Sequence, residues 1–115
     1  MKITEHSNEN KYIYEITSDK VILNDIQDAL DLMANAGPIG RKKIILHEEN
    51  ITPDFFDLST RLAGDVLQKF TNYRVELAII GNFEKYSSKS LKAFIFESNK
   101  GNQINFVQNI EDAVK

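Results

Sequence analysis

Two short apolar runs, Ile44-Ile45-Leu46 and Val75-Glu76-Leu77-Ala78-Ile79-Ile80-Gly81, constrain the fold more than any other feature of this chain. Both are short, rich in β-branched residues, and bounded by a basic turn or a glycine, which marks them as strands. Strands apolar on both sides suit the centre of a parallel sheet covered on both faces, or a sheet covered on one. Between them, Phe55, Phe56, Ser59, Leu62, Ala63, Val66, Leu67 and Phe70 fall on one side, and Asp57, Arg61, Asp65 and Lys69 mostly on the other. That pattern predicts one amphipathic helix. Thr52 is placed as its N-cap, Pro53 as its first residue and Asp54 in its first turn. Strand, helix and parallel strand together make a right-handed crossover.

The flanking segments extend this α/β pattern. Lys11 to Thr17 alternates like a half-buried strand, and the polar stretch Ser7 to Asn10 turns back to a short strand near Ile3, forming an antiparallel hairpin. Ile22, Ile26, Ala29, Leu30 and Met33 recur at helical spacing behind Asn24 or Asp25, with Gly37-Pro38 as the stop, which predicts a helix over residues 25–35. A third helix carries Leu91, Phe94, Ile95 and Ser98 on one stripe, capped by Ser87 or Ser88, with Gly101 as its left-handed C-terminal residue. Gln103 to Val107 reads as an edge strand, and Asn109 followed by Glu111 and Asp112 starts a short terminal helix. At 115 residues the chain forms one domain. The expectation is an α/β domain with a mixed sheet of four or five strands and four helices.

Composition excludes several function classes. The absence of cysteine removes disulfides, thiolate nucleophiles and cysteine zinc sites together. The net charge is -3 and only Arg41-Lys42-Lys43 concentrates basic residues, so nucleic acid is not an expected partner. No apolar run is long enough to span a bilayer and no secretory leader is evident, which points to a cytoplasmic protein.

Loops after the carboxyl ends of parallel strands converge on one edge of such sheets, so residues 47–60 and 81–90 are the candidate functional edge. It contains His47, Glu48, Thr52, Asp54, Asp57, Tyr86, Ser87, Ser88 and Lys89. His47 and Glu48 are adjacent on a strand, point to opposite faces and cannot share an ion, and neither a metal nor another cofactor is expected. Hydroxyls, lysine and helix N–H groups around Tyr86 to Lys89 could attract an anion, but no phosphate-cradling glycine loop is present. With no nucleophile elbow around a serine, no catalytic residue is assigned.

Residues 51–83, ITPDFFDLSTRLAGDVLQKFTNYRVELAIIGNF, and 86–101, YSSKSLKAFIFESNKG, resemble a bacterial family of domains of unknown function, DUF4180, and VILNDIQDALDLM at 21–33 extends the likeness. More distantly, KKIILHEENITPDFFDLSTRLAG and RVELAIIG resemble the STAS domain, the fold of anti-sigma factor antagonists. That resemblance implies a STAS-like, non-catalytic regulatory module with a protein partner such as a kinase or regulator. It also implies a phosphorylatable hydroxyl near the start of the second helix, for which Thr52, Ser59 and Thr60 are the candidates. Antagonists have an Asp-Ser-Ser-Gly-like run where this chain has Asp57-Leu58-Ser59-Thr60. The alternative is a small-molecule or anion-binding protein, or an enzyme, using the same edge. Homodimerisation through an edge strand near residues 11–17 or 103–107 is a further expectation.

Overall fold

The computed structural model describes residues 1–115. In chain order the elements are β1 (Lys2–Glu5), β2 (Ile13–Thr17), α1 (Ile26–Asn35), β3 (Lys42–His47), α2 (Leu62–Asn72), β4 (Val75–Ile80), α3 (Lys89–Asn99), β5 (Ile104–Val107) and α4 (Ile110–Ala113). The five strands lie side by side in that same order. β1 pairs antiparallel with β2, and all later pairs are parallel.

This unreversed order decides where the core lies. Right-handed crossovers that always step the same way across a sheet deliver every crossover helix to the same face. Accordingly Ala29, Leu32 and Met33 of α1, Ala63, Val66, Leu67 and Phe70 of α2, and Leu91 of α3 form one core with Tyr14, Ile16, Ile44, Leu46, Leu77, Ile79 and Phe106 of the sheet. The opposite face is covered in part by α4, whose Ala113, with Ile110 and Val114 beside it, packs on Ile13, Ile45 and Ala78. The runs in β3 and β4 are therefore apolar on both sides because a short terminal helix covers the second face where three helices cover the first.

Local chemistry fixes the ends of α1. The Asp25 side chain accepts the Asp28 N–H at 2.9 Å, satisfying one of the free donors of the first turn. At the other end Gly37 turns at φ 74°, with the Tyr14 ring where a Cβ would stand, so a larger residue would be strained and would have to displace that ring. Lys42, 5% exposed, reaches the carbonyls of the last turn and donates to Ala36 O at 2.6 Å and to Met33 O.

The structure departs from the sequence pattern in three places. Residues 53–61 are not the first turns of a long helix: Pro53–Phe56 and Leu58–Thr60 form two separate 3-10 turns, and α2 begins at Leu62. Gly101 does not have a positive φ, and the turn after α3 closes through the Gly101 N–H to Ser98 O instead. Residues 13–17 are no edge, because β2 lies between β1 and β3. β5 is an edge, but at Phe106 both backbone groups on that side are taken. The Asn99 carboxamide accepts the Phe106 N–H at 2.7 Å and donates to its carbonyl at 3.1 Å, imitating a neighbouring strand.

Phe55, 1% exposed, anchors the 3-10 segment in the core. Phe55→Ala is expected to cost about 3–5 kcal/mol, read as a lower urea midpoint at unchanged denaturant slope.

Candidate functional site

The loops that follow β2, β3 and β4 meet at one end of the sheet and are tied together by side chains. Asn50, 2% exposed, donates to Ser18 O at 2.8 Å and Lys20 O at 2.9 Å, while its own carbonyl accepts the Ile22 and Leu23 N–H groups. A one-residue parallel bridge, Leu23 to Ile51, continues the seam, and the Thr52 N–H donates to Leu23 O. Asn50 is a short polar residue among acids in the sequence, and nothing there distinguishes it from a solvated loop residue.

Glu48 makes the second tie. Its side chain, 11% exposed, accepts from Tyr86 Oη, from Lys85 Nζ at 2.7 Å and from the Asn82 N–H at 3.3 Å. Desolvation alone would make a buried carboxylate costly; the three donors, one of them cationic, offset that cost. Gly81 leaves the necessary room, since a Cβ there would stand 2.5 Å from Glu48 Oε1. Burial pushes the Tyr86 phenol well above its usual range, and the hydrogen bond to Glu48 and that carboxylate's charge push it further. Tyr86 also stacks on Phe56 (centroids 5.3 Å apart, 20° between planes), and Phe83 packs against both Phe56 and Phe106. An aromatic wall thus runs from the 3-10 segment across to β5.

The second 3-10 turn, next to Phe56 in the chain, carries exposed polar side chains. Asp57 caps the second 3-10 turn, accepting the Ser59 N–H at 3.0 Å and the Ser59 hydroxyl at 2.6 Å. Those two bonds, the hydroxyl's first, hold the Asp57 carboxyl below its usual range. The Thr60 hydroxyl turns back to Asp54 O (2.7 Å) and Asp57 O and accepts the Leu62 N–H, and Arg61 follows in the left-handed region at φ 65°. These side-chain bonds compete with helix formation, which is why a strong helix-start signal yields two 3-10 turns instead. Thr52 is half-buried and its side chain makes no cap hydrogen bond, and Ser59 is exposed rather than on the buried stripe. Ser88 caps α3 by accepting the Leu91 N–H, whereas Ser87 and Lys89 are exposed.

His47 takes no part in this edge. It points to the other face of the sheet and donates from Nε2 to Glu15 Oε2 at 2.6 Å, while His6 donates to Glu15 Oε1 at 2.8 Å. A carboxylate can only accept, so both rings carry their proton on Nε2. Both histidines of the chain therefore bracket one glutamate, a grouping hidden in the sequence because the three lie in separate segments. Burial pushes the Glu15 carboxyl up, but the bonds and charges of His47 and His6 outweigh it and hold the group below its usual range. His47 and Glu48, adjacent in the chain, thus serve different clusters, and no group of acids and imidazoles has the geometry of a metal site.

Residues 8–115 match the family described as a domain of unknown function, DUF4180. The chain belongs to this family. Neither the curated proteins nor the solved structures gave a match. No helix of the DUF4180 domain is long and apolar enough to cross a membrane.

Tyr86→Phe removes one of Glu48's donors and is expected to cost about 1–3 kcal/mol in chemical denaturation. Because the folded-state phenol pKa is raised, that contribution is fully present below about pH 10 and is lost as pH rises through the folded value. The stability gap between wild type and variant should therefore narrow in alkali. Glu15 has the opposite sign. Its lowered folded-state pKa gives stability that is present above about pH 4.3 and lost as pH falls through the folded value. Glu15→Gln should accordingly be less stable than wild type at neutral pH and converge with it in acid, as followed by thermal melts across pH.

Proposed function

We propose that this domain is a non-catalytic cytoplasmic regulatory module that presents residues 48–60 and 81–90 to a protein partner, with Ser59 as the hydroxyl whose phosphorylation switches the contact. The observation that carries this reading is the 3-10 segment itself. Its exposed carboxylates and hydroxyls are held on a rigid base of Phe55, Phe56 and Tyr86, a preorganised surface that loses little entropy on docking. The sheet topology supports it too: ligand crevices of open α/β sheets form where strand order reverses, and here the order runs straight from β1 to β5. The sequence likeness to anti-sigma factor antagonists points the same way.

The switch follows from Asp57. Its carboxylate is ionised and takes both the hydroxyl and the N–H of Ser59. A phosphate of about -1.5 to -2 charge on that oxygen removes the hydroxyl donor and sets two anions side by side, opening the turn that shapes the edge. Thr60 and Thr52 are less suited, since the Thr60 hydroxyl meets backbone carbonyls of Asp54 and Asp57, with no carboxylate for a phosphate to repel, and Thr52 is half-buried.

Tagged wild type, Ser59→Ala, Ser59→Glu and Lys89→Glu, recovered from the native host and read by mass spectrometry for partners and phosphosites, test the proposal. A stoichiometric partner should accompany wild type and Ser59→Ala and be lost from Ser59→Glu and Lys89→Glu, with all four proteins folded by circular dichroism. A partner retained by every variant, or neither a partner nor phosphate on wild type, overturns it.

A further inference from the structure

At the amino ends of β3 and β4, opposite the edge just described, a cavity of about 390 Å³ opens between α1 and the start of the strands. Its volume is in the range of small-molecule sites. Leu30, Met33, Ile39, Tyr73 and Val75 give it apolar walls, and Lys42 is its charged lining residue. Two features set it apart from an ordinary surface dent. Ile39 is 97% exposed and Tyr73 61% exposed, so large apolar side chains stand at the rim with nothing packed over them. Lys42, in contrast, is 5% exposed and has no carboxylate partner.

The Lys42 ammonium has three hydrogens, of which the carbonyls of Ala36 and Met33 take two. Those bonds cap α1, but they leave the formal charge unneutralised and one donor without a protein acceptor. A buried charge in that condition is costly unless an anion meets it. Burial holds the Lys42 amine below the usual lysine range, as that cost requires.

We propose that this cavity binds an amphipathic monocarboxylate, its carboxylate on Lys42 and its apolar tail against Leu30, Met33, Ile39 and Tyr73. The carboxylate supplies the missing acceptor and counter-charge, and the tail covers the exposed rim. The basic run at residues 41–43 thereby divides by strand alternation: Lys42 faces this cavity and the helices, while Lys43 lies on the opposite face of β3.

Titration calorimetry with octanoate and with octan-1-ol, paired with amide chemical-shift mapping, tests the site. Octanoate should bind saturably, shifting the amides of Ile39, Gly40 and Tyr73, and octan-1-ol should bind at least tenfold more weakly. Ala34→Trp, which places a large ring at the cavity wall from an exposed position of α1, should abolish octanoate binding in a folded protein. Lys42→Met should weaken it at least tenfold. If that variant fails to fold, the alcohol comparison and Ala34→Trp still decide. Equal affinity for acid and alcohol, octanoate shifts elsewhere on the surface, or no binding to wild type overturns the proposal.

Discussion

The right-handed crossover is the constraint on which this structure depends. Three crossovers in a row, each stepping in the same direction from β2 to β5, put α1, α2 and α3 on one face and commit the large apolar side chains to it. The second face receives only α4, and the part that α4 does not reach carries the Glu15 cluster in place of a core. A single reversal of strand order would have divided the helices between two faces and opened a crevice at the switch point. Without one, the loops after β2, β3 and β4 meet with no crevice at a switch point between them.

Within that frame two glutamates solve the same electrostatic problem with different partners. Glu48 satisfies a nearly buried carboxylate with a phenol, an ammonium and a backbone N–H drawn from one loop, and so fastens the loop after β4 to the end of β3. Glu15 uses two imidazoles and so ties the turn after β1 to β2 and β3. Both are worth more as fasteners than as isolated ion pairs, because each leaves no buried polar atom without a partner. Lys42 differs: it is fastened to α1 carbonyls and has no carboxylate partner.

Much of the architecture was legible in the sequence. The apolar runs of β3 and β4, the Asn109 cap, a cap for α1 at Asn24 or Asp25, and the alternation in β2 and β5 each follow from interactions within a few residues, so a local reading finds them. The meeting of the loops after β3 and β4 also followed, because it needs only that these strands run parallel, although His47 turns to the other face. The segment 51–61 misled for an equally physical reason. Thr52, Pro53 and Asp54 are favourable to a helix start, but Asp57 and Thr60 offer the backbone competing bonds, and two adjacent phenylalanines must be buried in different surroundings. A helix places neighbours about 100° apart; a chain of short turns delivers Phe55 to the core and Phe56 to the Tyr86 stack.

By itself, then, the sequence determined the strands, the helices outside residues 53–61, the α/β class and the edge where the loops gather. The elements and the class rest on short-range periodicity and capping chemistry, and the edge on the parallel direction those elements imply. Only the tertiary structure decided which polar groups meet: His6 and His47 on Glu15, Tyr86 and Lys85 on Glu48, Asn50 on the loop after β2, and Lys42 beneath an open apolar cavity. Those pairings join residues distant in the chain, and a side chain's free energy in a buried site depends on the donors and charges that packing brings within about 3 Å, which no local pattern encodes.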